Sequence, residues 1–354
     1  MQRFGFILVL ITFAGFTAHC AADDAEDYAI LKDWLAYTGQ NTYSAHYQIG
    51  FEIDLGDKTN DLHLKGLGKF APKQLWKINL ATTGKITGKG WECGITKEGI
   101  KELAALPGLS WLRVHPTFGN DDLKELIACK KLETLILFWS KVDDKGLVHL
   151  ASMPKLREID LTRAAVTDAC FEPLSKVSTL ESISLFDTRI TGKGISQLSV
   201  LPKLTDLNLL SSDVKSTALE EIGKLKSLRK LNLTRVPVTD DGLKALAGLT
   251  ELRELKLGES RVTDAGVQHL AGLKNLTLVY LDGPDISDES AKILAKLTNL
   301  RTVWLTNTKV TDQGLKELVV LKDIQQLHVG RTKVTPEGVA AFKKILPNCT
   351  VFAR

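Results

Sequence analysis

Leucine-type residues return at a fixed interval of 24 through most of the chain, and this recurrence constrains the fold more than any other feature. Residues 228–250 read LRKLNLTRVPVTDDGLKALAGLT, and from Leu252 the chain reads LRELKLGESRVTDAGVQHLAGLK. One such stretch is too short to enclose its own apolar face, so successive copies must lie against one another and share an interior. Leu228, Leu231 and Leu233 end in the alternation of a short strand with one buried face. Thr239 then precedes Asp240, Gly242, Leu243, Leu246 and Leu249, whose spacing of three is that of a helix. The Thr239 hydroxyl is placed to cap that helix, and Asp240 to sit at the positive end of its dipole. Each copy therefore predicts a strand, a turn and a short helix.

The first slot of the pattern holds Leu109, Leu132, Leu156, Leu180, Leu204, Leu228, Leu252, Leu276, Leu300 and Ile324, which makes ten copies. The L-x-x-L-x-L core followed by V-T-D-x-G-L-x-x-L resembles the leucine-rich repeat family. It is most similar to the 24-residue V-T-D-x-G-L class of bacterial exported proteins and of repeats beside F-box domains. The resemblance covers residues 51–353. It implies an α/β fold, a right-handed leucine-rich repeat solenoid (horseshoe) with a parallel concave sheet and convex helices. Strand and helix dimensions agree, because strands pack about 4.8 Å apart while helices need about 10 Å, so the strands take the inside of the bend. Parallel crossovers make the coil right-handed.

Five segments follow in chain order. Residues 1–22 carry Arg3, an apolar run from Phe4 to Phe16 and small residues up to Ala22, the pattern of a signal peptide. The expected location is therefore extracytoplasmic, whether secreted, periplasmic or in the cell envelope, with a lipid anchor on Cys20 as the rival reading. Residues 23–50 are expected to form a helical cap, since Tyr28, Leu31, Trp34 and Leu35 have helical spacing. Residues 51–108 hold two irregular copies interrupted by an insertion at 81–94, a loop suited either to binding or to nothing in particular. Residues 109–347 are the ten copies, and residues 348–354 a closing edge, with Pro347 stopping the last helix. The apolar run at the start is too short for a membrane helix, and no later run is long enough.

Composition narrows the function. A net charge of +4, with Lys interspersed among Asp and Glu, supplies neither a nucleic-acid stripe nor a polybasic membrane patch. Cys93, Cys129, Cys170 and Cys349 show no disulfide framework; Cys129 and Cys170 fall in apolar slots, while a Cys93–Cys129 pair stays open. The seven histidines assemble no catalytic or metal set, and no nucleophile elbow or phosphate loop occurs. The expectation is no enzyme, no cofactor and no metal. Asp144, Asp168, Asp240, Asp264, Asp288 and Asp312 share one slot and could suggest a calcium ladder. Helix-dipole capping accounts for them, and Gly192, Ser216 and Pro336 break the series. Ser140, Thr188, Ser212, Ser260, Thr308 and Thr332 form a second column, expected to satisfy backbone groups of the turn.

The side chains that alternate with the strand leucines face outward, and residues 24 apart in one column are neighbours. The candidate binding residues are Trp111, Arg113, His115, Ile136, Phe138, Trp139, Phe186 and Leu210 in one group, and Tyr280 and Trp304, beside Leu278, in another. Grouped exposed aromatics are the anchors that protein interfaces use. The expected protein is thus a monomer that binds a protein partner or an envelope polymer on the concave face, with no nucleic acid partner and no membrane span. Alternatives are a ubiquitin-ligase-type substrate-recognition subunit, implied by the F-box-associated resemblance, and a structural envelope lipoprotein.

Overall fold

The computed structural model describes residues 9–13, 16–20, 51–54, 60–65, 75–81, 85–87 and 90–353. The expected cap at 23–50 and the small residues Ala21 and Ala22 lie outside them. Val9–Phe13 and Phe16–Cys20 pair as an antiparallel hairpin. No helix among the described residues is long and apolar enough to cross a membrane. The chain divides into two compact units, residues 1–166 and 167–354.

In the first unit the sheet order is Phe51–Asp54, Leu75–Asn79, Trp111–Arg113, Thr134–Ile136 and Glu158–Asp160, every neighbouring pair parallel. The insertion does not break this order. Lys85–Thr87 and Gly90–Glu92 fold back on each other as a small antiparallel hairpin. The parallel register then resumes with Lys77 opposite Trp111 and Asn79 opposite Arg113. In the second unit Ser182–Ser184, Asp206–Asn208, Lys230–Asn232, Glu254–Leu257, Leu278–Leu281, Thr302–Trp304, Gln326–His328 and Thr350–Phe352 form a parallel ribbon. Each residue there lies opposite the one 24 positions later, as in Leu207 opposite Leu231. Leu180, Leu228, Leu252, Leu276 and Leu300 are fully buried, so the slots that recur in sequence are the interior.

The convex elements are short, and they are not all α-helices. Asn120–Leu126, Asp240–Leu246, Asp288–Leu294 and Asp312–Leu318 are α-helical, whereas Gly146–Ser152, Ile195–Val200 and Gln268–Gly272 are 3₁₀. Stability here comes from the buried leucines of each turn, not from helix length, so the tighter form is tolerated. Thr167, Thr239, Thr263, Ser287, Thr311 and Thr335 cap their helices as the sequence leads one to expect.

The aspartate column does more than meet a dipole. Five of the six carboxylates, those of Asp168, Asp240, Asp264, Asp288 and Asp312, reach the following copy: the Thr311 N–H and hydroxyl donate to Asp288 at 2.8 and 2.7 Å, and the Gly314 N–H donates at 3.0 Å. Asp240 holds Thr263 and Asp312 holds Thr335 in the same way. In the first unit Asp61 holds Thr96 across 35 residues, which spans the insertion. The glycine of V-T-D-x-G follows from this clamp. A Cβ on Gly314 would stand 2.5 Å from Asp288 Oδ1, and one on Gly266 2.2 Å from Asp240 Oδ1. Where Ser290 replaces the glycine, its hydroxyl joins the clamp on Asp264 at 2.5 Å.

Two further turn features recur. Thr188, Ser212, Thr308 and Thr332 donate to the carbonyls of Leu185, Leu209, Leu305 and Val329, each at 2.7 Å, so four members of the hydroxyl column serve the turn backbone, whereas the buried Ser260 hydroxyl has no partner among the described residues. Just after the strand in eight copies one residue takes a left-handed conformation: Trp139 and Arg163 in the first unit, then Asp187, Ser211, Arg235, Glu259, Asn307 and Arg331, with φ between 53° and 63°. Gly283, at φ 140°, is the glycine in that series. A left-handed residue bearing a Cβ costs about 1–2 kcal/mol. Among the described residues no disulfide joins Cys93, Cys129, Cys170 or Cys349, so the Cys93–Cys129 pair is not formed. Cys129 is buried and its thiol donates to the Leu109 carbonyl at 3.4 Å, the role of a small core residue.

Two outcomes test this account. Asp288→Ala and Gly314→Ala should each lower unfolding free energy by roughly 1–3 kcal/mol. In the double variant the losses should fall short of their sum, because Gly314→Ala no longer meets the carboxylate; denaturant titration of all four proteins measures that coupling. Ser211, with φ 53° and a buried hydroxyl that lacks a partner among the described residues, should tolerate glycine with a gain of up to about 1 kcal/mol by the same titration.

Candidate binding face

The face is built by strand alternation. Leu112 and Leu135 are fully buried, so Trp111, Arg113 and Ile136 on either side project outward and are half-buried. Past the strand, Phe138 stays half-buried, and the left-handed backbone at Trp139 leaves that indole 52% exposed.

Cations interleave these rings. The Lys77 ammonium lies 4.9 Å from the Trp111 ring centroid, and the Arg113 guanidinium 5.3 Å from that of Phe138. Phe138 meets Trp139 edge to face at 6.2 Å, and the Arg163 guanidinium lies 5.7 Å from the Trp139 centroid. The order Arg113, Phe138, Trp139, Arg163 is a chain of cation–ring and ring–ring contacts, each worth about 0.5–1.5 kcal/mol in such surroundings. The Arg113 Nε–H is buried and donates to no partner among the described residues.

One expected member of this group is elsewhere. His115 is 1% exposed and contributes nothing to the outer face. It lies beyond the end of its strand at Arg113, where the chain folds over it: Nδ1 is 2.8 Å from the Thr117 hydroxyl and the ring meets Phe118 edge-on at 5.9 Å. Burial lowers its pKa to about 4, against an opposing pull from Asp61. Phe186 and Leu210 belong to the second unit, where both are half-buried in adjacent copies of one column.

The second unit carries the other aromatic group, and it is longer than Tyr280 and Trp304. The Tyr280 and Trp304 rings are 5.2 Å apart and tilted by 50°. Trp304 stacks on His328 at 3.6 Å and 12°, and His328 on Phe352 at 4.2 Å and 8°. Strand register places these four residues in one file. Tyr280 leans over Gly258, where a Cβ would come within 2.9 Å of the ring. Burial raises the Tyr280 pKa, helped by Asp282, and burial lowers that of His328. Leu278 stands half-buried beside this file. The 24-residue interval identifies His328, and Phe352 was within its reach. Lys77 was not, because the insertion sets its neighbour Trp111 34 positions away and not 24.

Elsewhere on the second unit's face, charges pair between neighbouring copies: Lys230 with Asp206 at 3.0 Å and Arg235 with Glu259 at 2.9 Å. Such exposed pairs contribute little to stability. No group of His, Cys, Asp and Glu among the described residues has the arrangement of a metal site.

A family model described as "Leucine Rich repeat" matches residues 128–151 and 224–247. Among solved structures, an internalin (InlF) from Listeria monocytogenes superposes with a TM-score of 0.58 at 19% identity, over 86% of this chain and 87% of that one. Internalin C2 from the same species gives 0.48 at 24% identity, over 59% of this chain and 84% of that one. A leucine-rich repeat protein of Leptospira interrogans gives 0.41 at 18% identity, over 84% and 88%. No curated protein matches the sequence.

The buried histidine has a pH signature. Its folded pKa is depressed below that of the unfolded chain, so the unfolded state takes up the proton first as acid is added. Stability from this site is complete above about pH 6.5 and is lost as pH falls toward about 4, by at most about 3 kcal/mol. In His115→Leu the difference in unfolding free energy between pH 7 and pH 5 should shrink, and an NMR titration of the wild-type ring should show a midpoint near 4.

Proposed function

Because the chain is a leucine-rich repeat protein, we propose that it is an exported, non-catalytic scaffold that binds another protein, or an envelope polymer, on the outward face of its sheet. The observation that carries this reading is Trp139. Its indole, 52% exposed, gains little from burial, and its neighbours Phe138 and Arg163 add a second ring and a cation. Aromatic rings flanked by arginine are the side chains that dominate interface energetics. Trp111, Arg113, Ile136 and Phe138 form the rest of this patch. Phe186, Leu210, Tyr280 and Trp304 are proposed as contacts on the second unit.

Export is supported by Arg3 and the apolar run from Phe4 to Phe16, with cleavage near Ala22 and residues 23–50 as a cap on the first copy. A mature amino terminus read by mass spectrometry near residue 23 is the expected result; an intact Met1 in the native host would sink export. A diacylglyceryl mass on Cys20 would favour the envelope-lipoprotein alternative. The ubiquitin-ligase alternative has the F-box-associated resemblance alone in its favour.

Affinity capture from the native host tests the binding reading. Phe138→Ala with Trp139→Ala should cut recovery of the captured partner by at least about 30-fold, the scale of losing a hot-spot pair, while the thermal unfolding midpoint stays within a few degrees of wild type. Undiminished recovery would remove this patch from the proposal.

A further inference from the structure

Among the described residues, the last copy of the second unit leaves part of its interior uncovered. In the preceding copy Val310, Leu315, Leu321 and Leu327 are 0–1% exposed. Their counterparts 24 residues on are Val334, Val339, Ile345 and Val351. Val334, Val339 and Val351 are half-buried, and Ile345 is 54% exposed. Phe352, whose inner face stacks on His328, is 44% exposed. A contiguous apolar end of this kind on a repeat stack needs a cover.

The strand Thr350–Phe352 says what kind. The Thr350 N–H donates to Gln325, and the Phe352 carbonyl accepts from the Val329 N–H, so both residues turn their backbone groups toward the sheet. By alternation the N–H and C=O of Val351 point to the open edge. A single residue that offers one donor and one acceptor, flanked on both sides by residues facing away, is self-complementary. Two such strands laid antiparallel exchange both hydrogen bonds between the two Val351 residues, on a twofold axis.

We propose that a second copy of this chain covers this end, through an isologous contact centred on Val351. The same axis sets each Phe352 opposite a Thr350 and brings the two Ile345 side chains together with Val334 and Val339 beneath. It also lays the helices Pro336–Ile345 antiparallel, so that Glu337 in the first turn of one faces Lys343 and Lys344 in the last turn of the other. The expected monomer gives way because the closing strand adds an edge without sealing the core slots. The outward aromatic file keeps its ring edges free for the partner proposed above.

Sedimentation velocity on the full chain, over about two decades of concentration, should show a reversible dimer. Ile345→Lys, at an exposed position, and Val351→Pro, which removes the edge N–H, should each weaken association at least about tenfold with circular dichroism unchanged. Val351→Cys should form a disulfide-linked pair on oxidation and Thr350→Cys should not, because only the residue on the axis meets its own copy. A wild-type chain that stays monomeric throughout, or a dimer that Ile345→Lys and Val351→Pro both leave intact, overturns the proposal. Neither result bears on partner capture by Phe138 and Trp139, which lie in the other unit.

Discussion

The fold depends on one carboxylate that does not belong to the helix it holds. Leucine burial drives the copies together, but a smooth apolar interior would let one copy slide against the next. Where an aspartate follows the cap it removes that freedom, because Asp288, Asp240 and Asp312 each meet both the amide and the hydroxyl of the threonine in the next copy. These are charge-assisted bonds with defined geometry, and their direction matters as much as their strength. The glycine beside the threonine is the space this carboxylate occupies. A single requirement, contact between one copy and the next, thus accounts for V, T, D and G in the motif as well as for the leucines.

The clamp also carries a proton signature. Burial would raise the Asp264 pKa, but the Ser287 and Ser290 hydroxyls and their amides outweigh it, so the carboxyl is held below its ordinary value. Thr335 does the same for Asp312. A depressed carboxylate stabilises the fold above the pKa of the unfolded chain and loses that contribution as pH falls through the folded value. The array should therefore loosen in acid at the joints between copies before the leucines themselves are exposed.

How much of this could be read from the amino acids varies with the kind of contact. The strand, the turn hydroxyls and the capping threonines follow from spacing, since each acts within its own copy. The aspartate was legible as a column but not as a clamp, because its partner is 23 residues away and a dipole explains an acid at that position equally well. The left-handed position hid behind ordinary residues; only Gly283 marks it, and one glycine among arginine, glutamate and tryptophan is no pattern. His115 looked outward because its column does so elsewhere, whereas its strand stops at Arg113 and the loop through Phe118 closes over it. The aromatic file was visible as far as Trp304. The interval reaches on to His328 and Phe352, but that these rings stand face to face is something spacing does not report.

The hairpin between Lys85 and Glu92 bears on how such a chain can change over time. Eleven or so residues leave the array there and return, yet Asp61 still finds Thr96 and Lys77 still lies opposite Trp111. A detour at that bend is invisible to everything downstream. Foreign loops should be graftable at the equivalent bend of other copies, which would give the scaffold new specificities while its interior stays as it is.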